Sequence, residues 1–192
     1  RDQPRSRGLG DVYKRQTNDV CEELKKLYAE DKDRDVWNSS KIKEPLKKAM
    51  LEMSYGKCSY CECKLGIESK DVTIDHFLPK SENPDEVVEW ENLFPACLRC
   101  NRKKNKREER IVNPCVEEPK EYLGVTSVNR YRLKGIDTQG IGKNTIEVIG
   151  LNDIERVMVP RMTEWEALKV HLEEIEAVSY THLRAHETEA DL

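Results

Sequence analysis

The sequence is poor in aromatic residues and contains no long apolar run. Aromatic residues make up 6% of the 192 residues, whereas charged residues make up 36%. A chain of this composition is expected to bury a modest apolar core, so a bound metal would add useful stability. No apolar run approaches the ~20 residues that span a membrane. We therefore expect a soluble, cytoplasmic protein with one ordinary domain and a helical extension.

The sequence also lacks the net positive charge that is typical of nucleic-acid-binding proteins, since its formal charge is −4. Its basic residues are nevertheless concentrated between Leu98 and Arg110, where seven basic residues and two acidic ones give a local balance of +5. Such a stripe can neutralise phosphates even on an acidic protein. A solvated helix face is the alternative interpretation.

Seven cysteines are present, an odd number. Four of them form two C-x-x-C pairs, Cys58 with Cys61 and Cys97 with Cys100. With no recognisable secretory signal, this spacing favours metal binding in a reducing compartment over disulfides. Four thiolates complete a tetrahedral structural Zn²⁺ site. Cys63 is a rival for Cys61 in the first pair, and buried free cysteines are the alternative.

An Asp-His dipeptide lies between the two cysteine pairs, at the end of a predicted strand. Neutral imidazole suits a general base near neutral pH, and we assign that role to His76. Asp75 and Asn101 offer oxygen ligands to a catalytic Mg²⁺ or Mn²⁺, which would stabilise charge on a scissile phosphate. Asn92 is expected to hold the loop and orient His76, although it could be an ordinary turn residue.

Basic residues directly follow the second cysteine pair and are candidates for holding a nucleic-acid backbone. They are Arg102, Lys103, Lys104 and Lys106. Contacts to phosphate position a protein without reading sequence. Weak sequence preference is therefore expected.

Periodicity predicts an α+β fold. Helices are expected over residues 18–31 and 42–53, and short strands over 72–74 and 92–96. A basic helix is expected from Asn101 to about Arg110. Strand, loop, strand and helix around one metal form a ββα-metal core, flanked by N-terminal and C-terminal helices. The last helical pattern is expected to be broken or kinked at Pro160.

These residues resemble the HNH endonuclease family, in its zinc-stapled branch. In that family the first His is the base, a middle Asn supports the loop and a last His or Asn binds the metal. His76, Asn92 and Asn101 match these positions. The final Asn replaces His, which the family tolerates.

Flanking segments resemble the PtuB-like HNH nucleases of Septu and retron antiphage systems. The similar segments, within residues 36–162, include 56–62, 111–114, 118–123 and 145–152. The resemblance implies a nuclease effector that cuts DNA, with RNA not excluded, and an ABC-type ATPase partner (PtuA-like). The alternatives are a zinc-stapled nucleic-acid-binding module without catalysis and a stand-alone restriction or homing enzyme.

The two ends of the chain read differently from its middle. Residues 1–16 and 178–192 resemble peptides translated from sequencing-adapter DNA, and they show neither helical nor strand periodicity. We exclude them from the fold argument; genuine disordered tails are the alternative. Between them we expect a helical segment at 17–56, the nuclease core at 57–112 and a mostly helical extension at 113–177.

Overall fold

The computed structural model describes residues 18–30, 40–68, 71–105, 109–126, 128 and 131–189, with only the backbone described for 40–42 and 179–189. The helices are α1 Asn18–Glu30, α2 Ser40–Met53, α3 Leu98–Lys104, α4 Ile141–Ile149 and α5 Val159–Glu189. The strands are β1 Val72–His76, β2 Leu93–Cys97, β3 Leu123–Val125 and β4 Leu133–Gly135. β1 pairs with β2 and β3 with β4, both antiparallel. Helices and two small sheets in one chain confirm the predicted α+β class.

The two N-terminal helices form one apolar core with the segment that leads into β2. Their apolar positions recur at helical spacing, so each helix presents one stripe to the core. The buried members of this cluster are Cys21, Leu24, Leu46, Ala49, Met50, Met53, Val87, Val88, Trp90 and Leu93. The core therefore fixes the segment that precedes β2.

Helix α2 begins earlier than the sequence predicts. It starts at Ser40, so Pro45 lies beyond the first turn and not near the start of the helix. Proline cannot donate a backbone hydrogen bond, and its ring crowds the preceding turn. Burial of the apolar stripe after Pro45 stabilises the helix despite this local cost.

The centre of the molecule is the β1–β2 sheet with α3 packed beside it. The register pairs Val72 with Cys97 and His76 with Leu93. β1 extends two residues beyond the predicted strand and so includes Asp75 and His76. All five residues of β2 are buried, which agrees with their apolar composition.

Helix α3 begins three residues before the predicted start at Asn101 and ends at Lys104. Cys97 caps the helix, because its Sγ accepts a hydrogen bond from the backbone N–H of Cys100 at 3.4 Å. A side-chain acceptor at this position satisfies one of the unpaired N–H groups of the first turn. Asn105 follows with a φ of 39°, where the helix stops. Residues 106–108 lie outside the described part of the chain.

The segment after the core folds back onto it. Helix α4 ends at Ile149 and is capped by Gly150, whose φ of 73° suits glycine. Arg99 of α3 donates to the Gly150 carbonyl at 2.9 Å and lies 3.2 Å from the Asp153 carboxylate. The Val112 N–H also donates to the Thr145 hydroxyl at 2.9 Å. These contacts attach α4 to the ββα centre.

The last helix differs from its prediction at both ends. A π-turn at Ile154–Met158 leads directly into α5, so the irregularity precedes Pro160, which is the second residue of the helix. Proline is tolerated in a first turn. The helix also runs through 178–189, a segment that the sequence analysis excluded, because neither glycine nor proline follows Pro160. In the described ranges, no helix is long and apolar enough to cross a membrane.

Gly142 should be intolerant of substitution. A Cβ atom at this position would overlap the carbonyl oxygen of Tyr122, which accepts a hydrogen bond from Ile136 N–H at 2.9 Å and so cannot move freely. We expect Gly142→Ala to lower the free energy of unfolding by about 1–3 kcal/mol, as overpacking commonly does. Thermal unfolding measures this. Lys143→Ala is the control, because that side chain is 72% exposed; equal melting of the two variants would contradict the prediction.

Candidate functional site

The cysteine cluster joins the first C-x-x-C loop to the end of β2. The Sγ atoms of Cys58, Cys61, Cys63 and Cys97 all lie within 4.8 Å of one another. The Cys61 and Cys97 sulfurs are 3.9 Å apart. Two thiolates on a tetrahedral zinc ion, each about 2.3 Å from the metal, are about 3.8 Å apart. The donor set and its spacing therefore fit zinc.

Backbone N–H groups point at these sulfurs. The Cys97 N–H donates to Cys58 Sγ at 3.4 Å, as that of Cys100 does to Cys97 Sγ. Hydrogen bonding from the Cys100 thiol lowers the pKa of Cys58 to about 3 and also lowers the pKa of Cys97. The pKa of Cys63 is raised, chiefly because its thiol donates a hydrogen bond to Cys58. Sulfurs this close would repel one another as thiolates, and a bound dication relieves that repulsion.

The fourth ligand is contested between Cys63 and Cys100. The cysteine spacing makes Cys63 a rival for Cys61, but the loop brings both of them into the cluster, because Cys58 N–H donates to the Cys63 carbonyl at 2.9 Å. Cys100 contacts the thiols of Cys58, Cys61 and Cys97 and is completely buried. Among the described residues, the group of sulfurs within 4.8 Å of one another contains Cys63 in the place predicted for Cys100, so the predicted set of Cys58, Cys61, Cys97 and Cys100 has a competitor at its last position.

Asp75 lies at the end of β1 and is buried. Its Oδ2 accepts a hydrogen bond from the Tyr60 hydroxyl and lies 3.3 Å from Lys104 Nζ. Burial raises the pKa of Asp75, while Lys104 and the Tyr60 hydroxyl oppose that rise. A buried carboxylate with a matched cation can remain charged, which a metal ligand requires.

Asn101 lies on the face of α3 that covers β1. Its Nδ2 donates to Thr73 Oγ1 at 3.0 Å, and Lys104, one turn later, contacts Asp75. Thr73 and Asp75 share one face of the strand because strand side chains alternate. Since its amide nitrogen is the donor, Asn101 can present its carbonyl oxygen to a cation. The chemistry of Asp75 and Asn101 therefore fits an oxygen-preferring Mg²⁺ or Mn²⁺.

His76 is oriented by a backbone carbonyl. Its Nε2 lies 2.9 Å from the Val87 oxygen. A carbonyl can only accept, so Nε2 carries the proton and Nδ1 is the basic nitrogen. Burial, reinforced by Lys80 and Lys104, lowers the pKa of His76 to about 4. The imidazole is therefore neutral at physiological pH, as a proton acceptor must be.

Asn92 ties together the two sides of the loop that follows His76. Its Oδ1 accepts from Leu78 N–H at 2.7 Å, and its Nδ2 donates to the Glu86 carbonyl at 2.8 Å. Its own carbonyl accepts from Phe77 N–H at 2.9 Å. This geometry is compatible with the loop-holding role predicted for it.

The predicted phosphate-binding residues do not share one environment. Arg102 is exposed, whereas Lys103 lies 3.8 Å from the Asp153 carboxylate with 41% of its side chain exposed. Lys104 is buried and donates to the His76 carbonyl at 2.6 Å. The structure thus places Lys104 inside, because the face of α3 that bears it packs on β1. Lys106 lies outside the described residues.

The site residues come from a segment that comparison with known proteins also identifies. Residues 58–107 match the family model described as HNH endonuclease. The chain carries an HNH endonuclease domain. The predicted family resemblance is confirmed, and the β1–β2–α3 unit is the core of this domain.

Two curated relatives extend the similarity beyond the HNH domain. The chain is 45% identical over 130 residues to Septu protein PtuB of Bacillus thuringiensis, covering 66% of this chain and 47% of that protein. It is 28% identical over 113 residues to Septu protein PtuB of Bacillus mycoides strain KBAB4, covering 42% of this chain and 38% of that protein. The chain spans less than half the length of these curated relatives.

Sequence reasoning missed two residues that contact the metal-ligand candidates. Tyr60 lies inside the first cysteine pair and Thr73 in the predicted strand, and neither pattern indicates their contacts with Asp75 and Asn101. Strand alternation could have placed Thr73 beside Asp75. No local signal relates Tyr60 to Asp75, because the contact depends on how the cysteine loop folds.

Zinc content should distinguish the competing ligand sets of the HNH domain. We expect Cys97→Ser to lose zinc and to unfold, because folding and metal binding are coupled. We expect Cys100→Ser to lose zinc and Cys63→Ser to retain it, because two C-x-x-C pairs are the usual structural zinc set and Cys63 belongs to neither pair. Elemental analysis of purified variants measures this, with Cys115→Ser as the control. Loss of zinc from Cys63→Ser alone would assign the fourth position to Cys63.

Lys104 should matter more to stability than its neighbour Lys103. In Lys104→Met the Asp75 carboxylate stays buried without its cation, which typically costs about 3–5 kcal/mol. Lys103→Met breaks a partly exposed contact with Asp153 and should cost no more than about 1 kcal/mol. Chemical denaturation of both variants tests this difference. Equal losses would show that the Asp75–Lys104 contact is not a major contributor to stability.

Proposed function

We propose that the chain is a metal-dependent HNH endonuclease that hydrolyses phosphodiester bonds in DNA. The observation that supports this most directly is the layer between β1 and α3. There the Asn101 amide donates to Thr73, which shares a strand face with Asp75, and His76 follows Asp75 at the end of β1. A module that only bound nucleic acid would need none of the three together.

His76 would act as the general base. Its Nε2–H is held by the Val87 carbonyl, so the proton of an attacking water would pass to Nδ1. The neutral state of the ring, caused chiefly by burial, keeps Nδ1 able to accept that proton. Asn92 would hold the loop that carries Val87, so that the imidazole keeps one orientation.

Asp75 and Asn101 would hold the divalent cation through oxygen atoms. When bound, such a cation stabilises negative charge on the scissile phosphate and on the leaving oxygen. The cysteine cluster would hold a separate, structural zinc ion. The thiolates of the cluster would fix the end of β2 and the start of α3. Asn101 directly follows Cys100 in that helix.

The substrate would be held by cations around α3. Arg102 is exposed, and Lys103 is exposed in part. Contacts of this kind bind phosphate without reading base sequence, so weak sequence preference is expected. DNA is the proposed substrate, and RNA is the alternative that the same cations could bind.

The similarity to Septu protein PtuB supports a role in antiphage defence. By that similarity we infer a cytoplasmic nuclease effector that acts with an ABC-type ATPase of the PtuA kind. The partner would hold the nuclease or license its activity.

Plasmid cleavage in Mg²⁺ or Mn²⁺ tests the proposal. We expect the parent chain, with its ATPase partner if required, to cut DNA. His76→Ala, Asp75→Ala and Asn101→Ala should each reduce the rate by about 100-fold or more, because each removes a group of the reaction centre. Zinc content should be retained in all three variants, and thermal melting should show a cooperative transition in each, at a lower temperature in Asp75→Ala because Lys104 is then buried without its carboxylate.

His171→Ala is the matched control, since His171 lies on α5 with 71% of its side chain exposed. It should cut like the parent. Cleavage by His76→Ala at the rate of the parent would contradict the assignment of the base. A folded parent that cuts neither DNA nor RNA, with the partner present, would contradict the proposed activity.

A further inference from the structure

The first cysteine loop carries a tyrosine to the metal-ligand candidate of β1. Tyr60 lies between Cys58 and Cys61, and its hydroxyl donates to Asp75 Oδ2. The loop is attached to β2 beside it, because the Ser59 N–H and hydroxyl both donate to the Pro95 carbonyl, at 2.9 and 2.8 Å. The position of the Tyr60 hydroxyl is therefore set by the same loop that supplies zinc ligands.

Aromatic packing also constrains Tyr60. Its ring lies against Phe94, with 6.3 Å between the ring centroids. Phe94 is fully buried and is the register partner of Asp75 in the β1–β2 sheet. The Tyr60 ring and the Asp75 carboxylate are thus fixed relative to each other through one strand pair.

The carboxylate of Asp75 is held through one of its two oxygens. Among the described residues, its two polar contacts, from the Tyr60 hydroxyl and from Lys104 Nζ, both go to Oδ2. This arrangement leaves Oδ1 as the oxygen that can turn to a cation together with the Asn101 amide. Lys104 already supplies the charge that balances the carboxylate. The hydroxyl adds direction to the 3.3 Å contact from Lys104, because an O–H group on a rigid ring donates along one line, whereas an ammonium group on a flexible chain can donate from several positions.

We propose that Tyr60 is a positioning residue of the divalent-cation site, through which the folded zinc loop sets the orientation of Asp75. The inference rests on the proposed function, since it takes Asp75 as a cation ligand. Groups that orient a ligand without touching the metal typically change metal affinity by about 10-fold to 100-fold when they are removed. Tyr60 would act through Asp75 and would not contact the substrate.

Tyr60→Phe tests this inference, because it removes one oxygen and keeps the ring that packs on Phe94. The readout is Mn²⁺ binding without DNA, measured from the electron paramagnetic resonance signal of free Mn²⁺. We expect affinity to fall by about 10-fold to 100-fold, with one zinc retained. In cleavage assays the Mn²⁺ concentration for half-maximal rate should rise by a similar factor, while the rate at saturating Mn²⁺ falls less.

Tyr122→Phe is the matched control. It removes a hydroxyl that donates to a carboxylate elsewhere, that of Glu117, at 2.8 Å. It should leave Mn²⁺ affinity unchanged. Tyr60→Phe with an affinity within about twofold of the parent would overturn the inference. Loss of zinc or gross unfolding in Tyr60→Phe would overturn it as well, since the hydroxyl would then have a structural role.

Asp75→Ala separates failure of this inference from failure of the proposed function. If the parent binds Mn²⁺ no better than Asp75→Ala does, the cation site itself is misassigned and the proposed mechanism fails with it. If binding depends on Asp75 but not on Tyr60, only the positioning role fails. The three variants can be measured under the same conditions.

Discussion

The convergence of cysteine sulfurs is the constraint on which the arrangement of the site depends. The cysteine loop and the end of β2 are separated by about 35 residues of sequence, yet the Cys61 and Cys97 sulfurs lie 3.9 Å apart. The same contact fixes three functional elements, because Cys97 ends β2, caps α3 and lies opposite Val72 at the start of β1. The sulfur cluster thus joins elements that a chain with few aromatic residues would otherwise have to hold together by a larger apolar core.

The second constraint is the buried contact between Asp75 and Lys104. Removing two charges from water is costly, and such a pair commonly adds little net stability over apolar residues of the same size. The presence of the pair is better explained by its effect on Asp75 and His76. Lys104 lets a carboxylate stay charged in a buried place, and its hydrogen bond to the His76 carbonyl, at 2.6 Å, also restrains the next residue of β1. One lysine therefore contacts both residues of the Asp-His dipeptide.

Much of this site could be predicted from sequence because its signals are local. The C-x-x-C spacing, the strand that ends in Asp75-His76 and the helix stripes each depend on neighbours a few residues apart. The environment of Lys104 could not be predicted, since it depends on where α3 begins, and the cap by Cys97 moves that start to Leu98. The fourth zinc ligand and the contact of Tyr60 depend on how one loop closes. Periodicity does not predict the continuation of α5 beyond residue 177; the sequence signal for it is that neither glycine nor proline follows Pro160.

The basic stripe shows why a count of charges overstates the surface that is ready to bind phosphate. Arg99 and Lys103 both face Asp153, and Lys104 faces Asp75. These contacts differ in burial, and therefore in how readily a phosphate can replace the carboxylate. The contact of Lys103 is partly exposed and so contributes at most about 1 kcal/mol, which a polyanion offering many phosphates can replace. That of Lys104 is buried, and its loss would leave Asp75 unbalanced. The helix therefore divides its cations by burial: those on its outer face are accessible to a nucleic-acid backbone, while the inner one contacts Asp75 and His76 of β1.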